Sequence, residues 1–309
     1  MSVRAAAARQ LAKWARINRI MASPEALDKA IKADRERTRD GVTPPAAVSR
    51  RYSVRVEQTC GHQVYRIAPL TRAPTRRLIY LHGGGCVTEI LPAHWYFVAD
   101  LVRQLNCEAI VPLYPLAPEH HALDMNSMLL AVYRDEVQGR GAGGLTLMGD
   151  SGGGGLALLL AMNARDDGLP QPDRISLLFP ALDVSFTNPG IADLAQFDVV
   201  LQLPGIQHSG RLLAGEQLDV KDPRVSPLYG DLTDLAEISV WTGTYDLTLP
   251  DSLLLREKAE AQGLPLDFHL YPRMTHGWIM APRWAVPEAG RARDQLVEYL
   301  STEPAIRRR

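Results

Sequence analysis

Apolar and polar positions along this chain follow two different periods, and the places where the period changes divide it into segments. Residues 52–58 and 64–70 alternate with period two, and with Gly61 between them they predict an antiparallel hairpin of half-buried strands. Ahead of the hairpin, residues 1–50 carry a helical period that Gly41-Val42-Thr43-Pro44-Pro45 breaks. Beyond it, short apolar runs at 78–81, 109–114, 145–148, 175–179, 238–242 and 266–271 are separated by helical runs at 94–105, 124–138, 155–165, 251–262 and 287–302. Strand and helix in repeated alternation predict the α/β class, a mainly parallel sheet with helices on both faces.

Two stretches stand outside that alternation. Residues 184–223 are longer than an ordinary connection, rich in turn residues and weakly periodic, so they are expected as an insertion above the carboxyl ends of the strands. Residues 1–50 read as a helical appendage to a main domain at 51–309, and with the insertion they are expected to form a lid over the site. The first twenty residues add a charge pattern. Arg4, Arg9, Lys13, Arg16 and Arg19 precede any acidic residue, while Leu11, Trp14, Ile17 and Ile20 recur at helical spacing. A basic amphipathic helix of this kind suits peripheral membrane contact, and a transit peptide shares its composition. The commoner fate of an apolar stripe is to pack on its own domain, and that is the expectation here.

A chain of 309 residues that is 46% hydrophobic and 22% charged can bury one sizeable core. Its 34 Lys+Arg against 35 Asp+Glu leave no basic excess to coat a phosphate backbone, so nucleic acid is not an expected partner. Cys60, Cys86 and Cys107 are scattered, in neither a disulfide framework nor a metal-ligand spacing, which points to a reducing, cytoplasmic setting and no bound metal. No apolar run reaches the roughly 20 residues that cross a bilayer, and the start lacks the apolar stretch of a secretory signal. A soluble protein is expected.

The candidate chemistry begins at Gly149-Asp150-Ser151-Gly152-Gly153, directly after the apolar run 145–148 and before the apolar run 156–162. Strand, tight turn and helix in that order hold a serine hydroxyl exposed on a strained turn, with glycines where a side chain would collide. His82-Gly83-Gly84-Gly85 ends another apolar strand, and its flexible backbone can aim N–H groups at a developing oxyanion. Gly83, Gly84 and Gly152 are the candidate donors. A serine needs a base and the base an orienting acceptor, so a downstream acid and histidine are required. His276 follows the strand run 266–271, and Asp246 follows 238–242. Asp251 is the rival acid, read instead as a helix cap after Pro250. Asp150 is expected to position the turn by hydrogen bonding, and His94, His120, His121 and His208 have no partner implied by spacing. The readings left open are a serine ester hydrolase working through an acyl-enzyme, a non-catalytic small-molecule receptor on the same scaffold, and an amidase or peptidase with the same residues.

With Ser151, Asp246, His276 and His82-Gly83-Gly84-Gly85 assembled, the chain resembles the hormone-sensitive-lipase-like group of α/β-hydrolase esterases. Further matches are Tyr114 with Ala117-Pro118-Glu119-His120, Asp222-Pro223-Arg224-Val225-Ser226-Pro227-Leu228, and His276-Gly277. The resemblance implies an α/β-hydrolase fold with an eight-stranded sheet and a helical cap. It also implies hydrolysis of short- to medium-chain acyl esters without a cofactor. Cys86 stands where the group often has an aromatic residue, which makes it a candidate substrate-binding position in a widened pocket. Pro115 replaces a frequent arginine, and the residues around Asp246 depart from the commonest order.

Overall fold

Strands buried on both faces need no alternation, and the centre of this fold is built from such strands. The computed structural model describes residues 1–15 and 17–304, apart from the side chains of Trp14 and Ile17. Its strands are β1 (Tyr52–Thr59), β2 (His62–Pro69), β3 (Arg76–Leu81), β4 (Cys107–Pro112), β5 (Leu145–Asp150), β6 (Arg174–Leu178), β7 (Glu237–Gly243) and β8 (Leu266–Tyr271). They form one sheet in the order β1-β2-β4-β3-β5-β6-β7-β8, with β1, β2 and β4 antiparallel in turn and every other pair parallel. All residues of β6 and β7 are buried, whereas the edge strands β1 and β8 are half exposed. The expected α/β class and mainly parallel sheet are therefore observed. The run expected at 109–114 begins earlier, because β4 pairs from Cys107 with Arg76 of β3.

The helices are α1 (Val3–Ala15), α2 (Pro24–Thr38), α3 (Ala46–Ser49), α4 (Pro92–Leu105), α5 (Ala122–Val137), α6 (Gly152–Asp166), α7 (Ile191–Leu194), α8 (Leu203–Ala214), α9 (Leu249–Ala261) and α10 (Pro287–Ser301). Ser23 shows how local chemistry sets such boundaries: its hydroxyl accepts the Ala26 amide at 3.2 Å, and Pro24 occupies the first helical position, where no N–H is needed. Segment 184–223 is more regular than its weak periodicity predicts, since it contains α7 and α8.

The N-terminal residues divide between packing and exposure. Ala5 is buried, Ser2 bonds to Glu288 of α10, and Leu27 and Ile31 of α2 belong to the same apolar cluster as Leu81 and Leu156. Packing on the domain is thus observed for α2. Of the apolar stripe expected over the first twenty residues, Leu11 of α1 is 64% exposed and Ile20, beyond the end of α1, 48% exposed, while the side chains of Trp14 and Ile17 lie outside the described residues. Arg16 of the basic series lies outside the described residues. Among the described residues, no helix is long and apolar enough to cross a membrane.

Candidate active site

β5 ends at Asp150 and α6 starts at Gly152, so Ser151 occupies the whole turn between them. Its φ of 53° and ψ of −123° are costly for a residue with a side chain, and strain of this kind persists only where neighbours impose it. Here the Ser151 amide donates to Leu178 O and its carbonyl accepts from Ala181, both at 2.9 Å. The glycines answer to sterics. A Cβ on Gly153 would lie 2.2 Å from Leu81 O, one on Gly155 2.2 Å from Ala181 O, and one on Gly149 2.1 Å from Gly153 O. The expectation that the helix begins at 155 is corrected by this crowding. Gly152 to Gly155 are its first turn, accepting ~1 kcal/mol each in helix propensity because a Cβ at any of them would crowd the end of β3, the glycine loop or the Pro180-Ala181 segment.

Beyond the ends of β7 and β8 the chain delivers the other two groups. His276 Nε2 lies 2.8 Å from Ser151 Oγ, and His276 Nδ1 lies 3.0 and 3.2 Å from the carboxylate oxygens of Asp246. Asp246 Oδ1 also accepts from the amide and hydroxyl of Thr248, both at 2.9 Å, which fixes the carboxylate plane. Burial alone would push the His276 imidazole down, but Asp246, then Asp198 and Asp150, hold it above its ordinary value. Three residues spaced over 125 positions are thus linked through His276, which lies within hydrogen-bond reach of both Ser151 and Asp246. Asp251 is buried in α9 with Oδ1 accepting from Asn188 Nδ2 at 2.8 Å, so it orients a side chain of the insertion and not the helix amides that a cap would serve.

Asp150 organises the other side of the site, in line with the positioning role expected of it. Its Oδ1 accepts from the Tyr80 hydroxyl at 2.6 Å and from the Gly83 amide at 2.8 Å. That second bond corrects the candidate donor set, because an N–H spent on a buried carboxylate cannot also serve an oxyanion. Among the described residues, the amides of Gly84 and Gly85 have no acceptor, and both glycines line the cavity in front of Ser151. The free donors are therefore Gly84 and Gly85 of the glycine run, together with Gly152 at the first position of α6, where no intrahelical acceptor exists. No spacing in the sequence implies a partner for His94, yet its Nε2 lies 3.5 Å from Asp150 Oδ2.

The cavity has a volume of about 330 Å³. It is apolar away from the serine, lined by Leu156, Leu159, Leu213 and Val225 and by Ile20, Met21 and Leu27 of the N-terminal segment. Cys86, the candidate substrate-binding position, lines its wall, with its Sγ 3.0 Å from where a Gly152 Cβ would stand. Burial pushes that thiol up to about 12, so it acts as a small neutral surface and not as a nucleophile.

Comparison with known proteins agrees with this geometry. A family described as the alpha/beta hydrolase fold matches residues 78–280. An esterase of Acinetobacter venetianus is 30% identical over 229 residues, covering 74% of this chain and 75% of that protein. An acetyl-hydrolase of Streptomyces hygroscopicus is 28% identical over 249 residues, covering 79% and 81%. Among solved structures, an esterase from the bacterial hormone-sensitive lipase family superposes with a TM-score of 0.78 at 26% identity, over 91% of this chain and 98% of that one. The extent of the match, together with a serine elbow and glycine loop at its expected places, makes this chain a member of the α/β-hydrolase fold, in its hormone-sensitive-lipase-like esterase family.

Proposed function

We propose that the chain hydrolyses carboxylic esters of short to medium acyl length, with Ser151 as nucleophile, His276 as general base and Asp246 as its orienting acceptor. The observation that carries this reading is the unbroken relay from Asp246 to His276 Nδ1 and from His276 Nε2 to Ser151 Oγ at 2.8 Å. Ser151 Oγ attacks the ester carbonyl carbon while its proton passes to Nε2. The carbonyl oxygen becomes an oxyanion facing the Gly84, Gly85 and Gly152 amides. Collapse breaks the C–O bond to the alcohol, which departs with the proton from His276. Water then attacks the acyl carbon, giving its proton to the same nitrogen, and Ser151 is released with the carboxylic acid.

The segments 1–50 and 184–223 act as the cap in this reading. Support comes from their meeting over the cavity: a Cβ on Gly205 of α8 would lie 2.4 Å from Met21 Cα, and His208 of α8 bonds Asp28 of α2 at 2.8 Å. The experiment is hydrolysis of a p-nitrophenyl acyl series, with fluorophosphonate labelling and peptide mapping. Label is expected on Ser151, and Ser151→Ala is expected to lose on the order of a millionfold in kcat. Full hydrolysis by Ser151→Ala, or label on another residue, would overturn the assignment.

A further inference from the structure

Asp198 lies in the connection between α7 and α8, and no step of the proposed reaction uses it. It is buried, and both of its oxygens are engaged. Oδ1 accepts the Val200 and Leu201 amides at 2.8 and 3.1 Å, and Oδ2 accepts the Leu247 amide at 3.1 Å. Leu247 directly follows Asp246, while Val200 and Leu201 line the cavity. The flanking residues are braced as well. Phe197 stacks on Tyr245 with ring centroids 4.7 Å apart. Arg9 of α1 donates to the Phe197 carbonyl at 2.8 and 3.3 Å, and its guanidinium lies 4.9 Å over the Tyr245 ring. The N-terminal helix, the insertion and the loop bearing Asp246 therefore meet around one carboxylate.

We propose that Asp198 is a positioning residue for the Ser151, His276 and Asp246 array: it ties the cavity wall to the backbone that carries Asp246 and places a second buried negative charge where His276 feels it. This rests on the triad reading above. The charged groups acting on Asp198 are Asp246 and His276, and those acting on His276 are Asp246, Asp198 and Asp150. Arg9 reaches the cluster through the Phe197 carbonyl. Burial and then the neighbouring Asp246 push the Asp198 carboxyl up to about 6, so its charge is shed near the range in which an imidazole titrates. A substrate that seats against Val200 and Leu201 thus presses on a carboxylate that also holds the acid loop.

The test is Asp198→Asn, read by NMR titration of the His276 imidazole and by pH profiles for a short and a longer p-nitrophenyl ester. Loss of the charge lowers the His276 midpoint and moves the acid limb of kcat/KM to lower pH. Plateau kcat falls on the order of tenfold, because a weaker base draws the proton less readily. The KM of the longer ester rises more than that of the short one. An unchanged His276 midpoint overturns the proposal, and since the titration needs no turnover, that outcome is distinct from a failure of Ser151 labelling. In the wild-type chain, amide exchange corrected for intrinsic rates gives a second reading that requires no variant. The Val200, Leu201 and Leu247 amides are expected to gain protection together as pH falls through about 6, because a buried carboxyl held above its solvent value favours the closed segment when protonated, while β6 and β7 stay equally protected. Loss of protection over that range, or changes at unrelated pH values, would also overturn it.

Discussion

At the scale of single residues, the two acids separate cleanly by what they touch. Asp246 meets the imidazole at 3.0 Å, whereas Asp251 meets Asn188 at 2.8 Å. Asp246→Asn is therefore expected to cost about 10⁴-fold in kcat, as in serine hydrolases where the orienting carboxylate is neutralised, while Asp251→Asn changes kcat little. The reverse order in a steady-state assay would reassign the acid. The same geometry fixes the sign of the pH dependence. His276 must be neutral to accept the serine proton, and its partners hold its pKa above the ordinary value of about 6.5. Activity is then full above the raised pKa and lost as pH falls through it, so the midpoint of the acid limb of kcat/KM should lie above about 6.5. A midpoint below that value would mean that the carboxylates do not act on the imidazole. Ser151, His276 and Asp246 were legible in the sequence because each follows a strand, and strand ends collect at one rim of a parallel sheet. What no spacing reveals about Gly83 is that Asp150, 67 positions away, takes its amide.

At the scale of elements, legibility followed how each one buries its surface. β6 and β7 read as continuous apolar runs because both faces are covered, whereas the alternation of the hairpin is not matched by its burial, since residues 55–58 of the edge strand β1 are all exposed. α8 was illegible as a helix because Gly205 and Gly210, which look like turn residues, are present for close approach. A Cβ at Gly210 would lie 2.0 Å from Val184 O, and one at Gly205 would strike the Met21 backbone. The first turn of α6 obeys the same rule and supplies a test. Gly153→Ala would improve helix propensity on an isolated segment, yet here its methyl group meets the Leu81 and His82 carbonyls at 2.2 and 2.4 Å. The collision is with backbone that carries the glycine loop, so the variant is expected to lose roughly 1–3 kcal/mol of stability in denaturant titration and most of its turnover. A Gly153→Ala protein of wild-type stability and activity would show that the elbow is looser than these distances indicate.

At the scale of the whole molecule, the N-terminal segment proposed as a cap also contributes to the core, and that decides how its role can be examined. Leu27 is fully buried in the cluster that contains Leu81 and Leu156. Arg35 donates to the carbonyl of Val87, just past the glycine loop, at 3.0 Å and to that of Ala117, whose amide donates to Cys86 O, at 2.9 Å. Deleting residues 1–50 would strip apolar surface from the sheet and unfasten that loop, so lost activity would not distinguish a cap from a structural strap. A single cavity-lining position does distinguish them. Leu27→Ala removes a buried side chain from the wall of the space in front of Ser151, at a cost of about 2–5 kcal/mol as in buried leucines generally. Part of that vacated volume opens into the cavity, so an acyl chain can fill it and recover the lost contacts. The variant is expected to be less stable in thermal unfolding, yet to shift its kcat/KM preference along a p-nitrophenyl acyl series towards longer or branched chains, with acetate hydrolysis nearly unchanged. A uniform fall across the series, with the order of preference intact, would assign the N-terminal segment to stability alone and leave the pocket to α6, α8 and the residues around Val225.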